Sequence, residues 1–209
     1  MRMRKKKNGE ARFAACSDYV ISSREELDQY SDRLPCELEI GCGKGGFICR
    51  MATLHPDRFF IAVELSTDAL ITALEYAKEQ EIPNVRFINA NANILPELFH
   101  KGEVSKIYLN FSDPWPKARH AKRRLTYRTF LEKYRAMLPD DGKLVFKTDN
   151  RGLFDFSLEE FEAVGMPVTE VTYDLHHSEY NADNVMTEYE KNFSEKGFPI
   201  HRVVVLMHS

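Results

Sequence analysis

The chain has 209 residues, 43% of them hydrophobic and 29% charged, with a formal net charge of -3. This length and composition predict one ordinary globular domain with a sizeable core, and no apolar run is long enough to form a transmembrane helix. The N-terminus is basic but carries no apolar segment behind its charges, so we expect no signal peptide, a cytoplasmic location and no membrane partner.

The net charge hides a segregation of sign along the chain. Residues 1–12 hold six Lys or Arg and one acid, and residues 117–135 hold eight Lys or Arg and one acid. The rest of the chain holds 15 basic and 30 acidic residues. Two strongly basic segments on a nearly neutral protein create a local positive field, which favours a polyanionic partner such as a nucleic acid.

Short apolar runs alternate with amphipathic stretches through most of the chain. A mobile basic arm is expected over residues 1–20, and a single domain over residues 21–209. In chain order, the predicted elements are a helix over 23–30, a strand over 36–40, a helix over 46–54, a strand over 58–64, a helix over 67–80, strands over 85–90 and 106–111, a helix over 126–137, a strand over 143–147, a helix over 152–164, a strand over 168–175, a polar loop over 176–186 and a strand over 200–207.

This alternation is typical of an α/β fold, a mostly parallel sheet with helices on both faces. Ligands of such sheets bind beyond the carboxyl ends of the strands. The residues that follow the predicted strands are therefore the place to look for a site: 41–46, 64–66, 91–93, 112–117 and 148–150.

A glycine-rich loop follows the first predicted strand. Gly41, Gly43 and Gly46 satisfy the GxGxxG spacing of nucleotide-binding loops, although a tight turn without a ligand has the same pattern. Glu39, two residues before the first glycine, would repel the pyrophosphate of a dinucleotide and attract a cation. S-adenosylmethionine carries an ammonium and a sulfonium group, so the loop favours this ligand over a dinucleotide.

Polar residues also end the second and third predicted strands. Glu64 is placed to accept hydrogen bonds from both hydroxyls of a ribose, the alternative being a solvated strand end. The side-chain amides of Asn89, Asn91 and Asn93 can hydrogen-bond an adenine edge, but asparagines also form ordinary turns. These residues strengthen the prediction of a nucleoside-bearing ligand.

The four cysteines, Cys16, Cys36, Cys42 and Cys49, are separated by 19, 5 and 6 residues. No CxxC pair and no histidine-bearing motif accompanies them, so their spacing is not typical of a zinc site. We interpret them as buried thiols and expect no metal.

The end of the fourth predicted strand carries the most specific pattern. Residues 108–117 read YLNFSDPWPK, and residues 119–127 read RHAKRRLTY. Pro114 and Pro116 restrict the backbone around the only tryptophan and hold Asp113 beside a flat aromatic surface. Together with the segments MRMR, EIGCGKGGF, FKTDNRGLF and MTEYEKNF, this pattern resembles bacterial tRNA (guanine-N7-)-methyltransferases over nearly the whole chain.

The resemblance implies a Rossmann-like class I S-adenosylmethionine-dependent methyltransferase fold with a seven-stranded sheet. It also implies that S-adenosylmethionine donates a methyl group to N7 of a guanosine in the variable loop of tRNA, with Asp113 as the catalytic residue. The implied cofactor-binding residues are Glu39, Glu64, Asn91 and Asp113, beside Gly41 and Gly43 of the glycine loop. The implied substrate-binding residues are Lys117, Asp149, Thr187, Glu188, Tyr189 and Glu190, and the implied RNA-contacting residues are Arg119, His120, Lys122, Arg123 and Arg124.

One position departs from the family pattern, and some alternatives stay open. Asn91 stands where related sequences often have Asp, so it keeps an acceptor but loses a charge.

Trp115 and Tyr189 are candidates for stacking on the target base, and both are equally suited to a core. A non-catalytic RNA-binding protein predicts a damaged donor loop, whereas a small-molecule or protein methyltransferase leaves residues 117–135 unexplained. The sequence is compatible with a monomer or a homodimer.

Overall fold

The computed structural model describes residues 7–208 of the chain. The strands are β1 (Cys36–Ile40), β2 (Phe60–Glu64), β3 (Val85–Asn89), β4 (Val104–Asn110), β5 (Lys143–Thr148), β6 (Val168–Thr172) and β7 (His201–Leu206). The α-helices are α1 (Gly9–Ala14), α2 (Arg24–Asp28), α3 (Gly46–Leu54), α4 (Thr67–Glu79), α5 (Leu95–Leu98), α6 (Arg128–Met137), α7 (Arg151–Ala163) and α8 (Glu188–Ser194). Short 3₁₀ helices include Ala92–Ile94 and Ala118–Arg123.

The seven strands form one sheet in the order β3-β2-β1-β4-β5-β7-β6. Strands β1 to β5 pair in parallel, whereas β7 pairs antiparallel with both β5 and β6. The strand order reverses between β1 and β4, so the crevice that binds ligands in such sheets opens at the carboxyl ends of these two strands. The predicted mostly parallel, seven-stranded sheet is confirmed.

Side chains alternate between two hydrophobic cores, one on each face of the sheet. Ile61 and Val63 of β2 lie in the core that α5, α6 and α7 cover, whereas Phe60 and Ala62 lie in the core under α3 and α4. The prediction of helices on both faces is therefore also confirmed. Within residues 7–208, no helix combines the length and apolar character that a membrane span requires.

The N-terminal segment differs from the mobile arm expected over residues 1–20. Helix α1 lies against α4, where the Arg12 guanidinium donates two hydrogen bonds of 2.6 Å to Glu75. Lys78 donates to the carbonyl oxygen of Ala15 at 2.6 Å, and Cys16 is buried nearby. These contacts join residues more than 60 positions apart, so the local basic composition gave no sign of them. Residues 1–6 of the expected arm lie outside the described residues.

Several element ends also differ from the prediction, for local reasons. Ser66 caps α4 as predicted, because its hydroxyl accepts a hydrogen bond from the Ala69 amide. The helix predicted from residue 126 begins at Arg128, since Thr126 is buried and its hydroxyl accepts a hydrogen bond from Ser157. Helix α8 falls in a polar stretch with no apolar stripe, where no helix is predicted.

Candidate active site

The glycine loop after β1 leaves open space above its backbone. Gly41 and Gly43 have φ values of +82° and +55°, a conformation that side chains disfavour, and a Cβ built on either would meet no atom within 4 Å. At Gly45 the same construction gives a contact of 2.6 Å with the Cβ of Ala73, so this glycine allows α3 to approach α4. The loop can therefore accept a ligand close to its backbone.

Glu39 lies at the carboxyl end of β1 and is only 2% exposed. Its Oε1 accepts a hydrogen bond of 2.9 Å from the side-chain amide of Asn110, whereas its Oε2 has no partner within the described residues. The Oδ1 of Asn110 is also buried without a partner there. Burial raises the pKa of Glu39 to about 7, and Asn110, the charge of Lys147 and the backbone amide of Ile48 oppose this effect. A buried acceptor without a donor is costly, so this position suits a ligand that brings an N–H group.

Glu64 ends β2 beside the glycine loop. Its Oε2 accepts a hydrogen bond of 2.9 Å from the Gly43 amide, and its Oε1 accepts one of 2.7 Å from the Ser66 amide. Each carboxylate oxygen has a second lone pair, so both can still accept a hydroxyl proton. The carboxylate is therefore held by the backbone in a position from which it can bind a diol.

A cavity of about 620 Å³ brings several predicted residues together. Its lining includes the predicted residues Gly41, Glu64, Asn91 and Asp113. Residues of helix α6 also line it. The predicted RNA-contacting residues Lys122 and Arg123 lie at the same cavity. The Oδ1 of Asn91 accepts hydrogen bonds from the amide and the side chain of Asn93, at 2.9 and 2.8 Å, so part of its capacity is used in a turn.

Residues 111–117, here called the β4 loop, carry two strained positions. Phe111 and Trp115 have φ values of +53° and +40°, which bulky residues rarely adopt. The guanidinium of Arg124 donates hydrogen bonds to the carbonyl oxygens of Pro114 and Trp115, at 3.0 and 3.1 Å, and lies 4.2 Å from the ring centre of Phe156. Arg124 therefore fixes the backbone of the β4 loop against α7. Asp113, in the middle of this loop, is exposed at the cavity.

The predicted basic run, residues 119–124, divides into two groups. Arg119, Lys122 and Arg123 are exposed, as is Lys117 just before them. His120 and Arg124 are half-buried and contact the β4 loop instead: His120 meets the Trp115 ring edge-on at 5.8 Å, and Arg124 binds its carbonyl groups. Arg123 lies 4.9 Å from the ring centre of Trp115. The exposed members are the ones free to meet a polyanion.

The carboxyl end of β5 and the start of α8 meet at the same edge of the sheet. Tyr189 contacts Phe111 of the β4 loop, with 4.9 Å between ring centres, and burial together with the charge of Asp149 raises the pKa of Tyr189. A Cβ on Gly46 would lie 3.9 Å from Cγ of Glu188, so the start of α8 also lies close to the glycine loop. Glu188 therefore lies beside the glycine loop and Tyr189 beside the β4 loop, whereas Asp149, Glu188 and Tyr189 are not among the residues that line the cavity of about 620 Å³.

Thr187 and Glu190 stabilise the N-terminus of helix α8. The Thr187 hydroxyl accepts a hydrogen bond of 2.9 Å from the Glu190 amide, and the two residues form a capping box. The Glu190 side chain is completely buried and forms an ion pair of 2.7 Å with Lys147. Glu190 therefore lies in the interior rather than on the surface that a substrate reaches. Asn110 and Lys147, which hold the predicted carboxylates, were missed because a polar residue in a buried strand does not reveal its partner.

The residues present fit S-adenosylmethionine. The unpartnered oxygen of Glu39 suits its ammonium group, Glu64 suits its ribose diol, and the open backbone at Gly41 and Gly43 leaves room for the nucleoside. Among the described residues, no group of three or more His, Cys, Asp or Glu side chains could hold a metal ion. Cys16, Cys36 and Cys49 are buried, as predicted, and Cys42 is half-buried.

The fold is shared with solved methyltransferases. The structure matches the 16S rRNA methyltransferase KamB with a TM-score of 0.67 and 14% identity, covering 90% of this chain and 95% of that one. It matches an antibiotic-related methyltransferase with a TM-score of 0.64 and 18% identity, covering 88% and 92% of the two chains. At these identities the likeness concerns the fold alone, which is the Rossmann-like fold of class I S-adenosylmethionine-dependent methyltransferases.

The sequence comparisons are more specific. A family model described as "Putative methyltransferase" matches residues 33–203. The chain is 52% identical to a tRNA (guanine-N(7)-)-methyltransferase of Brevibacillus brevis over 176 residues, which cover 84% of this chain and 82% of the relative. It is 47% identical to the enzyme of the same name from Geobacillus sp. strain WCH70, over 98% of this chain and 95% of the relative. The chain therefore belongs to the family of tRNA (guanine-N(7)-)-methyltransferases.

Proposed function

We propose that this protein transfers a methyl group from S-adenosylmethionine to N7 of a guanosine in the variable loop of tRNA. The observation that carries the proposal is the cavity at the switch point of the sheet, where Glu64 and Asp113 face a common space beside the buried carboxylate of Glu39. The membership of the family and the exposed basic residues beside this cavity support the same substrate.

In this proposal, the end of the sheet binds the donor through its strand-end residues. Glu39 accepts hydrogen bonds from the ammonium group, Glu64 accepts them from the ribose hydroxyls, and Asn91 contacts the adenine side. S-adenosylmethionine supplies a methyl group that is already activated on a sulfonium, so the reaction needs no metal. Gly41 and Gly43 allow the backbone to approach the nucleoside.

Asp113 acts on the acceptor base. Guanine N7 has a lone pair and no proton, so it needs no general base to attack the methyl carbon, and the methyl–sulfur bond of the donor breaks as S-adenosylhomocysteine leaves as a neutral thioether. Positive charge develops on the purine in the transition state, and the Asp113 carboxylate stabilises it by accepting hydrogen bonds from the guanine N1–H and amino groups. The exposed position of Asp113 at the cavity supports this role.

The target base must leave its stack before N7 becomes accessible. Trp115 lines the cavity together with Asp113, whereas Tyr189 is not among the residues that line it and already packs against Phe111 and Phe193, with ring centres 4.9 and 4.3 Å apart. Of the two candidates, Trp115 is therefore better suited to stack on the extruded base.

The remaining substrate contacts follow from exposure and charge. Lys117, Arg119, Lys122 and Arg123 bind the phosphates that flank the target, and Asp149 and Glu188 orient the nucleoside at the carboxyl end of the sheet. We place the enzyme in the cytoplasm as a monomer or homodimer, with one methyltransferase domain over residues 21–209 preceded by a basic N-terminal segment that adds phosphate contacts.

The test is transfer of labelled methyl from S-adenosylmethionine to bulk tRNA, followed by identification of the labelled nucleoside. We expect 7-methylguanosine, and cleavage of the labelled tRNA at that nucleoside maps it to the variable loop. Label in another nucleoside, or binding of tRNA without any transfer, would refute the proposal; the second result would indicate a non-catalytic RNA-binding protein.

A further inference from the structure

Lys147 is a buried cation at the end of β5, and only 3% of it is exposed. Its ammonium group donates three hydrogen bonds: 2.7 Å to Oε2 of Glu190, 3.0 Å to Oδ1 of Asn184 and 3.0 Å to the carbonyl oxygen of Val185. An ammonium has three donors, so all of them go to the segment that covers this part of the sheet. The cation therefore fixes residues 184–190 in three directions.

Glu190 completes the network from the other side. Its Oε1 accepts a hydrogen bond of 2.6 Å from the Asn184 side chain and lies 3.1 Å from Nε2 of His176. Its Oε2 receives Lys147, and its backbone amide is bound by Thr187. The Glu190 carboxylate is completely buried, so its ion pair with Lys147 is shielded from water.

The network lies between the two halves of the site. Glu188 and Tyr189 are adjacent to Glu190 in sequence, and they meet the glycine loop and the β4 loop, respectively. On the sheet side, the charge of Lys147 favours the ionised form of Glu39. One buried cation thus faces both the carboxylate assigned to the donor and the segment that bears two substrate residues.

We propose that Lys147 and Glu190 are positioning residues that hold the start of α8 over the carboxyl end of the sheet, so that Glu188 and Tyr189 meet the target guanosine. This inference rests on the proposed function. Neither residue touches a reacting atom, and both are inaccessible to the RNA. The Glu190 side chain acts on the substrate only through the placement of α8.

If the Lys147–Glu190 pair only stabilised the fold, apolar side chains could replace both residues without loss of activity. Two buried charges lose their hydration, and replacing both with apolar side chains of similar volume often preserves or increases stability. Removing one partner instead leaves an uncompensated buried charge and destabilises the fold strongly. An apolar pair fills the same volume but lacks the directional hydrogen bonds that fix residues 184–190. A double variant with two apolar side chains can therefore keep the stability of the fold while losing the placement of residues 184–190.

The experiment compares wild type with the double variant Lys147→Met/Glu190→Met at saturating S-adenosylmethionine and pH 8. We expect cooperative thermal unfolding and a weaker but still saturable binding of S-adenosylmethionine, because the charge of Lys147 favours the ionised form of Glu39. At saturating donor, kcat/KM for tRNA should fall roughly 10- to 100-fold, because small misplacements of orienting groups carry penalties of that size. The fall should appear mainly as a higher KM for tRNA. A folded double variant with wild-type kcat/KM would overturn the inference.

Asn184→Ala provides a second, milder variant. It removes one contact to Lys147 and one to Glu190 but leaves the ion pair, so it should fold and raise the KM for tRNA several-fold. If the double variant does not fold, an unchanged KM in Asn184→Ala overturns the inference. The matched control is Arg24→Met/Glu103→Met, which removes an ion pair at the opposite edge of the sheet and should leave the KM unchanged.

The two proposals fail in different ways. A wild-type protein that forms no 7-methylguanosine in tRNA would refute the proposed function. A wild-type protein that forms it, with a Lys147→Met/Glu190→Met variant that is equally active and binds tRNA equally well, would refute only the positioning role.

Discussion

Glu39 is a buried carboxylate that a cationic ligand would complement. One of its oxygens has no partner among the described residues, and burial raises its pKa to about 7. Two charges act on its pKa in opposite directions: the cation of Lys147 on β5 lowers it, and the carboxylate of Glu64 on β2 raises it. A bound ammonium would add a second cation and satisfy the unpartnered oxygen. The buried carboxylate therefore lowers the stability of the protein without the donor, and it is complementary to the ammonium group of the donor.

This arrangement predicts a pH dependence for binding of S-adenosylmethionine. If Glu39 binds the ammonium in its ionised form, as proposed, the affinity should rise with pH through about 7, with a roughly 10-fold difference between pH 6 and pH 8. Calorimetric titration across this range measures the effect. Glu39→Gln should bind weakly at every pH and lose the slope; a slope that persists in this variant would show that another group titrates.

The same substitution should stabilise the protein without ligand. The folded-state pKa of Glu39 lies above its value in an unfolded chain, so the folded state holds this proton more tightly, and the contribution to stability is lost as the pH rises through about 7. At pH 8, Glu39→Gln should therefore raise the free energy of unfolding by roughly 1–3 kcal/mol. Urea unfolding at pH 8 tests this, and a destabilised variant would contradict it.

Asp113 gives the sharpest test of the chemistry. Asp113→Asn keeps the shape of the side chain but removes the charge to which the proposed function assigns the stabilisation of the cationic purine, so kcat should fall roughly 100- to 1,000-fold. Because Asp113 is exposed, the fold should be unaffected. Single-turnover methylation of tRNA measures the loss, and Asp57→Asn, an exposed aspartate elsewhere, is the control. Wild-type turnover in Asp113→Asn, with donor binding retained, would remove this assignment.

At the level of elements, the β4 loop depends on a residue that the sequence assigns to RNA. Arg124→Lys keeps the positive charge but cannot reproduce the two hydrogen bonds to the carbonyl groups or the stacking on Phe156. We expect kcat to fall roughly 10- to 100-fold with little change in tRNA affinity. Arg119→Lys, at an exposed position in the same basic run, should leave kcat unchanged. If the two substitutions changed kcat equally, Arg124 would have to be assigned to RNA contact rather than to the β4 loop.

The elements that the sequence predicts well are those whose pattern is local. Strand β2 is an apolar run that ends in Glu64, and β1 alternates apolar residues with glutamates, so the sequence places Glu39 and Glu64 correctly. Helix α1 was missed because its docking depends on an ion pair between Arg12 and Glu75, 63 positions apart. The positions of Arg124 and Glu190 could not be deduced for the same reason, since their partners are set by the fold.

For the whole molecule, the structure shows where the basic residues of one charged segment of the sequence lie. Arg119, Lys122 and Arg123 lie exposed next to the cavity, and the glycine-loop side of that cavity carries the carboxylate of Glu64. The distribution therefore favours one orientation of a polyanion, and contributes to orientation more than to total affinity.

This orientation can be measured as a salt dependence. Each phosphate contact releases counterions, so the logarithm of the tRNA affinity should fall steeply with the logarithm of the salt concentration, and Lys122→Ala/Arg123→Ala should make the slope shallower by about 1–2. The control, Lys101→Ala/Lys143→Ala, removes the same charge from exposed positions at the opposite edge of the sheet and should leave the slope nearly unchanged. Filter binding of tRNA at several salt concentrations gives both slopes. If the two double variants shift the slope equally, net charge rather than its placement governs the encounter, and the exposed residues beside the cavity have no special part in it.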